Sequence, residues 1–566
     1  MDRFLGLRKR GPQMNARWLR TLGLAGAALA IASTVVAETP TPVREGATMI
    51  VIKPSVAWNV TGKDDLAQLQ HLASGTGWEF EPNADTAAGL KAVGMKTIRC
   101  INVDPLPGQF AADGSFLVGQ PDRLLAHLKT CRDVGAKPHI IMATGLHPDL
   151  RLTVEDVKQQ PGLMGLIPSG TFGPKDWSKF QRYCQAYFEY VLVTQQFPDA
   201  EFEVGNEPDI GGTICPTPPK PANGSRALYE AYFSLYRNVA LAAAEFEQSH
   251  PGLKVRLGGP ALAWAFTFKY GDLNWAERFL RDCGAEKLKL DFVGLHFYGN
   301  ISSLDGEYPA NYPSFQEMLK STMGWRDQYC PGVPIWITEW GASYHTSNEP
   351  QSVINGNYVG AVWAAAFLNS MLQSGVDAAL YLVSTDLRQP VKDEPGKFVN
   401  VWGWPSLFVN PSVFGKAYPK APYHVFEMVS RLEGNRVEAT RGERTVNCIA
   451  SADREKKRVT VLVWNYGLRV PESGTPVENA QREALVLRVK DAAAFFGSRS
   501  VHMRRWMVAD GVGDAHARFV KGQPLDAQRT ALQELDTGTF AITDEQVDVG
   551  FAVPPSSVSL VELGAE

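Results

Sequence analysis

Between residues 48 and 432 the chain repeats one alternation, and no other feature limits its possible folds so strongly. Short runs rich in β-branched and aromatic residues recur at TMIVIKP (48–54), MKTIRCINV (95–103), KPHIIMATG (137–145), EFEVGNE (201–207), KVRLGGPA (254–261), LDFVGLHFYG (290–299), VPIWITEWG (333–341) and DAALYLVST (377–385). Helical patterns lie between them. In SRALYEAYFSLYRNVALAAAEF (225–246), Leu228, Tyr232, Leu235, Val239 and Phe246 recur at helical spacing behind Ser225, a candidate N-cap. Eight strand–helix units predict an α/β fold, a closed (β/α)8 TIM barrel over 48–432. A doubly wound open sheet is the alternative, but no GxGxxG turn supports it.

After Gly434 the texture changes. RTVNCIASA, RVTVLVWNYG, EALVLRVK, VHMRRWMVAD and AVPPSSVSLVEL read as strands separated by turn residues, with little helix. Residues 435–566 are therefore expected to form a C-terminal β-sandwich, with residues 38–47 as a candidate for pairing with it.

Residues 1–37 stand apart. Arg8, Lys9, Arg10, Arg17 and Arg20 precede the apolar run LGLAGAALAIASTVV, which leads to Val35-Val36-Ala37. Such a segment is expected to be a secretory signal peptide cut after Ala37, giving an exported, periplasmic or extracellular chain with no membrane span after cleavage. An uncleaved anchor is the alternative. Without these residues, which carry six Lys/Arg and one Asp, 50 basic side chains face 59 acidic ones, a balance of −9. No basic stripe remains, which argues against nucleic acid as a partner. The seven cysteines have no metal-type CxxC pairing. Cys283 and Cys330, each near a predicted helix end, are the candidate pair for a disulfide in an exported chain.

Catalytic groups of such a barrel sit at the C-terminal ends of its strands. Two predicted strands end on a glutamate after an apolar run, at Glu207 and Glu339. Glu207 follows the amide of Asn206 and Glu339 precedes the indole of Trp340, and both neighbours are candidates for binding sugar. One such glutamate is as readily a solvated loop residue; two on separate strands of one barrel point to paired-carboxylate chemistry. One carboxyl can protonate a glycosidic oxygen while the other attacks the anomeric carbon. In DFVGLHFYG, alternation puts His296 and Tyr298 on one face and Val293, Leu295 and Phe297 on the other. The aliphatic set suits the helix side, so His296 and Tyr298 are expected at the barrel mouth. Arg99 is the basic candidate for holding a carboxylate ionised.

These segments resemble the retaining glycosidases of the clan containing β-xylosidases and α-L-iduronidases, glycoside hydrolase family 39 in particular. The resemblance rests on FEVGNEP (202–208), VRLGGPA (255–261), DFVGLHFY (291–298), ITEWG (337–341) and KAPYHVFEMVSRL (420–432), in that order. It implies Glu207 as general acid/base, Glu339 as nucleophile, Asn206 as partner of the sugar 2-hydroxyl, Tyr298 in contact with the nucleophile and His296 lining the pocket. It implies a carbohydrate substrate and no metal or cofactor. Strict alternation would send Asn206 and Glu207 to opposite faces, so the strand is expected to end before them, with Pro208 blocking further ladder pairing. The run ALYLVSTDL lacks the tryptophan common at that rim in the clan; Trp402 and Trp404 are candidates to stack on sugar instead. The proline-rich loop 211–224 is a candidate for shaping the cleft.

The expected activity is retaining hydrolysis of a β-linked oligo- or polysaccharide, as by a β-xylosidase. The alternatives are an internally cutting exopolysaccharide hydrolase and, from another class, a carbohydrate-binding protein on an inactive barrel.

Overall fold

The computed structural model describes residues 47–565 apart from 59–65, 79–82, 102, 104, 151–173, 175, 211–223, 225, 264–268, 271–272, 300–314, 345–353, 387, 391–397, 401–402, 441–444 and 467–480. The signal segment 1–37 and Ser225 lie outside the described residues.

Eight parallel strands close into a barrel: β2 (Gly75–Trp78), β3 (Thr97–Cys100), β4 (Lys137–Met142), β5 (Glu201–Val204), β6 (Arg256–Leu262), β7 (Phe292–Tyr298), β8 (Ile335–Gly341) and β9 (Ala378–Tyr381). Helix α1 (Leu66–Leu72) precedes β2; α2 (Ala84–Ala92), α3 (Asp122–Val134), α4 (Trp177–Phe188), α5 (Arg226–Ser249), α6 (Trp275–Glu286), α7 (Phe315–Tyr329) and α8 (Tyr358–Ser374) follow successive strands, and α9 (Ala421–Ser430) follows β9. Local chemistry marks the helix ends. The side chains of Asn83, Asp176, Asn274 and Asn357 accept first-turn N–H groups, each worth about 1 kcal/mol. Gly135 and Gly375 end α3 and α8 in the left-handed conformation that glycine adopts without strain.

One expectation is corrected. The run TMIVIKP is no barrel strand. As β1 (Thr48–Ala57) it runs parallel to β13 (Glu483–Val489) and antiparallel to β10 (Asn435–Ala439) in the C-terminal sheet. Its burial alternates, with Thr48, Ile50 and Ile52 inside. A strand buried on both faces, such as β3 or β5, shows no alternation. The missing barrel strand is β2, GTGW. Its glycines are demanded by β9: a Cβ on Gly75 would lie 2.3 Å from Leu380 Cδ2, and one on Gly77 would lie 1.9 Å from the Leu382 carbonyl oxygen.

The C-terminal sheet has nine strands in the order β15 (Gln533–Ala541), β14 (Ser500–Val508), β17 (Ser557–Ala565), β12 (Arg458–Asn465), β11 (Val446–Asp453), β10, β1, β13, β16 (Val547–Val553). Ile50, Ile52, Val461, Leu487, Val549 and Val561 share its interior core. Leu462, Trp464 and Leu560, from the other face of β12 and β17, join the core of the barrel. The sheet is thus buried on both sides where it meets the barrel. The expected disulfide is also corrected: Cys283 and Cys330 are both free, and the Cys330 thiol points to the Leu280 carbonyl at 3.2 Å.

Candidate active site

Barrel interiors are usually filled by branched apolar side chains; part of this one holds charge. Period-two alternation turns Glu201 and Glu203 of β5 inward, while Phe202 packs on Phe188 of α4. Strand register sets Arg99 beside His139 and His139 beside Glu201. His139 Nδ1 lies 3.3 Å from Glu201 Oε2, and its Nε2 lies 3.3 Å from Glu203 Oε2. Lys137 pairs with Glu201 at the strand starts. Above them, Arg99 donates from Nε at 2.9 Å and from Nη2 at 2.8 Å to Glu203 Oε2. Burial alone would raise the Glu203 carboxyl, but the Arg99 charge and His139 outweigh it and hold it far below the usual carboxylate range. Gly294 makes the room, since a Cβ there would lie 2.3 Å from Glu203 Oε1.

At the mouth, β5 ends at Val204, before Asn206 and Glu207. Gly205 has φ 80° and Glu207 has φ 50°, both left-handed. For a glutamate that backbone costs about 1 kcal/mol. The turn is clamped on both sides. Gly205 N–H donates to the Met142 carbonyl on β4, and Glu207 N–H donates to the Ala261 carbonyl on β6, both at 2.9 Å. Consequently Asn206 and Glu207 do not diverge. Asn206 Oδ1 accepts from Arg99 Nη2 at 2.8 Å, and Glu207 Oε1 lies 3.0 Å from His296 Nδ1.

Glu339, on β8, is held on both oxygens. Oε2 accepts from Arg99 Nη1 at 2.9 Å, and Oε1 accepts from the Tyr298 hydroxyl. Burial, then the charge of Glu339, pushes the Tyr298 phenol well above its ordinary value, so it remains a donor. Burial opposes the Arg99 charge, yet Glu203 and Glu339 outweigh it and strengthen its hold on the proton. His296 is lowered by burial and raised more by Glu339 and Glu207, with a net upward shift. Its Nε2 lies 3.3 Å from Arg99 Nη2, and its Nδ1 faces Glu207 Oε1, where a ring proton can be donated to the carboxylate.

Glu207 Oε1, His296 Nδ1 and an oxygen of Glu339 lie within 4.8 Å of one another. A cation would fit that spacing, but the Arg99 guanidinium already brings a fixed positive charge to Glu339. The three groups are therefore better suited to a neutral ligand with hydroxyls.

Of the remaining predicted site residues, Trp340 is corrected. It is fully buried on the helix side, against Trp363, Phe367, Tyr381 and Phe426. Strand alternation requires this, since Glu339 faces inward. Trp402 and loop residues 211–223 lie outside the described residues. Trp404 is partly buried, and its carbonyl accepts from Lys420 Nζ at 3.0 Å. Lys420 is itself fully buried against Asp386 at 2.8 Å. The residues that sequence reasoning passed over are Glu203, His139 and Glu201. The two glutamates had a signal in EFE, two acids at period two in an apolar strand; His139 had none.

The fold is a (β/α)8 barrel, and Glu207 and Glu339 face one another at its mouth. The chain belongs to the glycosyl hydrolases family 39, whose family model matches residues 195–541, a stretch that holds both Glu207 and Glu339. A curated relative, a beta-xylosidase of Caldicellulosiruptor saccharolyticus, is 23% identical over 296 residues, 49% of this chain and 50% of that protein. The chain thus spans about half the length of the curated relative it matches. Among solved structures, the GH39 enzyme from Xanthomonas axonopodis pv. citri aligns at 18% identity with TM-score 0.66, covering 93% of this chain and 98% of the other. A monomeric beta-xylosidase from Caulobacter crescentus CB15 aligns at 18% identity with TM-score 0.64, covering 92% and 100%. At these identities the structural likeness concerns the fold.

Proposed function

We propose that the protein hydrolyses a β-linked oligo- or polysaccharide with retention of anomeric configuration, as a β-xylosidase does. The observation that supports this reading is that an oxygen of Glu207 and an oxygen of Glu339 lie no more than 4.8 Å apart, close enough to meet one anomeric centre, in keeping with the short carboxyl separation, about 5–5.5 Å, of retaining enzymes.

Glu339 is the nucleophile. Arg99 and Tyr298 fix both its oxygens, so attack on the anomeric carbon needs little reorganisation. Glu207 is the acid/base. Its Oε1 accepts from His296, which leaves Oε2 to carry the transferable proton. In the first step Glu207 protonates the departing oxygen as Glu339 bonds to the anomeric carbon. In the second, Glu207 takes a proton from water as that water displaces Glu339. Asn206 accepts from Arg99 through Oδ1, so Nδ2 is the atom that would donate to the sugar 2-hydroxyl. Export by cleavage after Ala37 is part of the same reading, and N-terminal sequencing of secreted enzyme would begin at Glu38.

The test is trapping with 2,4-dinitrophenyl 2-deoxy-2-fluoro-β-D-xyloside, followed by peptide mapping. A label on Glu339, with retained configuration by NMR on the unfluorinated xyloside, is the expected result. A label elsewhere, or inversion, overturns the assignment of roles. Tight sugar binding without turnover would instead identify an inactive barrel. Products released from the middle of a polysaccharide rather than its end would mark internal cutting.

A further inference from the structure

The mechanism uses the mouth of the barrel and leaves a buried file of charge beneath it unexplained. Lys137, Glu201, His139, Glu203, Arg99 and Glu339 alternate in sign from the strand starts to the mouth, provided His139 is protonated. Geometry asks for that proton. Nδ1 is hydrogen-bonded to Glu201 Oε2 at 3.3 Å, and Nε2, which makes no hydrogen bond, lies 3.3 Å from Glu203 Oε2, so the ring sits between two buried carboxylates whose charge a proton on it would balance.

We propose that Glu203 and His139 are positioning residues: the charge on His139 balances Glu203, and that balance sets how much of the Arg99 charge remains for Glu339. This rests on the reading of Glu339 as nucleophile. Glu201, His139, Glu203 and Arg99 are buried, so solvent and salt screen this part of the file little.

The surroundings of His139 are few. Glu201 and Glu203 face it from β5, Arg99 is its register partner on β3, and Lys137 precedes it on its own strand. The Phe292 and Trp336 rings cover it at 5.3 and 5.7 Å. The Cys100 thiol on β3 also faces it, with Cys131 and His127 beyond, and His71 lies near Lys137 and Glu201. Burial opposes the proton on His139, but Glu201 and Glu203 outweigh burial, and the net shift is upward.

The direction of the effect follows from charge balance. If His139 loses its charge, Arg99 is drawn to Glu203 and away from Glu339, and the acid limb of kcat/KM moves to higher pH. If Glu203 loses its charge, Arg99 serves Glu339 alone, and the acid limb moves to lower pH. A residue that merely fills space would move neither.

The test compares pH profiles of kcat/KM on 4-nitrophenyl β-D-xyloside for the full wild-type chain, His139→Asn and Glu203→Gln. The acid limb is expected to rise by about half a pH unit in His139→Asn and to fall in Glu203→Gln. Shifts of the same sign, or none, overturn the proposal. Should either variant fail to fold, the imidazole nitrogen shifts of His139 in the wild type decide. A titration midpoint above about 6.5, the ordinary value, supports it, and one at or below that value overturns it. The midpoint is read without substrate, so it is independent of the fluorosugar trap, whose failure would strike the catalytic assignment instead.

Discussion

Arg99 and Glu339 meet at 2.9 Å through Nη1 and Oε2, while the rest of the same guanidinium is committed to Glu203 and Asn206. One planar fork thus ties Glu339 to the barrel core and to Asn206, the residue before Glu207. An ammonium group is a point charge and cannot span those partners. Arg99→Lys is expected to lower kcat/KM by about 10²–10³-fold and stability by about 1–3 kcal/mol, because acceptors in the core lose their donors. Xyloside kinetics beside thermal melts check both; activity within threefold of wild type would show that charge alone suffices.

Gly294 is small because Glu203 needs the space. Its φ is not in the left-handed region, so steric contact alone is at issue. Gly294→Ala would place a methyl 2.3 Å from Glu203 Oε1, opposite the atom that holds Arg99. The expected outcome is a loss of about 1–3 kcal/mol from overpacking. A fall in kcat/KM of about tenfold or more should accompany it, since small displacements of positioning groups are costly. An unchanged melt and unchanged kinetics would show that Glu203 has slack.

Much of this was legible in the sequence, and the rest failed for identifiable reasons. Seven of the eight expected runs are barrel strands, because strands buried on both faces read as continuous apolar runs. GTGW was invisible: four residues, two of them glycine, carry no hydrophobic period, and their strand state comes from the walls they touch. TMIVIKP has a strand's pattern, but pattern does not say which sheet takes it. Alternation located His296 and Tyr298, and applied to ITEWG it also turns Trp340 to the helices. Glu203 passed unremarked because a charged residue ordinarily signals a solvent-facing position; only closure of the barrel makes that face interior. The convergence of Asn206 and Glu207 depends on two left-handed residues, which composition does not reveal.

The junction between barrel and sheet carries an acid-sensitive group. Burial, with Lys420 nearby, lowers His516 to about 4. Above about 6.5 the imidazole is neutral folded or unfolded. Between that pH and 4 the unfolded chain takes up a proton that the folded chain refuses, so stability falls as pH falls. The displacement from about 6.5 to about 4 sets a ceiling near 3 kcal/mol, and partial exposure reduces this to about 1–2 kcal/mol. His516→Asn is expected to narrow the difference in Tm between pH 7 and pH 4.5 while leaving xyloside turnover at pH 7 unchanged. An equal pH dependence in both proteins would place the acid sensitivity elsewhere.

Glu207 and Glu339 differ in how they are held, and that difference predicts how their loss will read. Glu339 has a donor on each oxygen and an 11% exposed side chain, whereas Glu207 is 22% exposed with His296 on Oε1. The acid/base matters in proportion to the leaving group's need for a proton. Glu207→Ala is therefore expected to cost about 10²–10⁴-fold on alkyl or disaccharide substrates. On a 2,4-dinitrophenyl glycoside, whose phenolate departs unaided, the first step should proceed and the glycosyl-enzyme should accumulate, since no base remains to activate water. Azide, small enough for the space vacated by the carboxyl and needing no deprotonation, should restore turnover and yield the β-glycosyl azide. Glu339→Ala should lose both substrate types alike and gain nothing from azide in the β configuration. Equal losses on both substrate types for Glu207→Ala, without azide rescue, would remove Glu207 from proton transfer and leave His296 beside it as the group to test next.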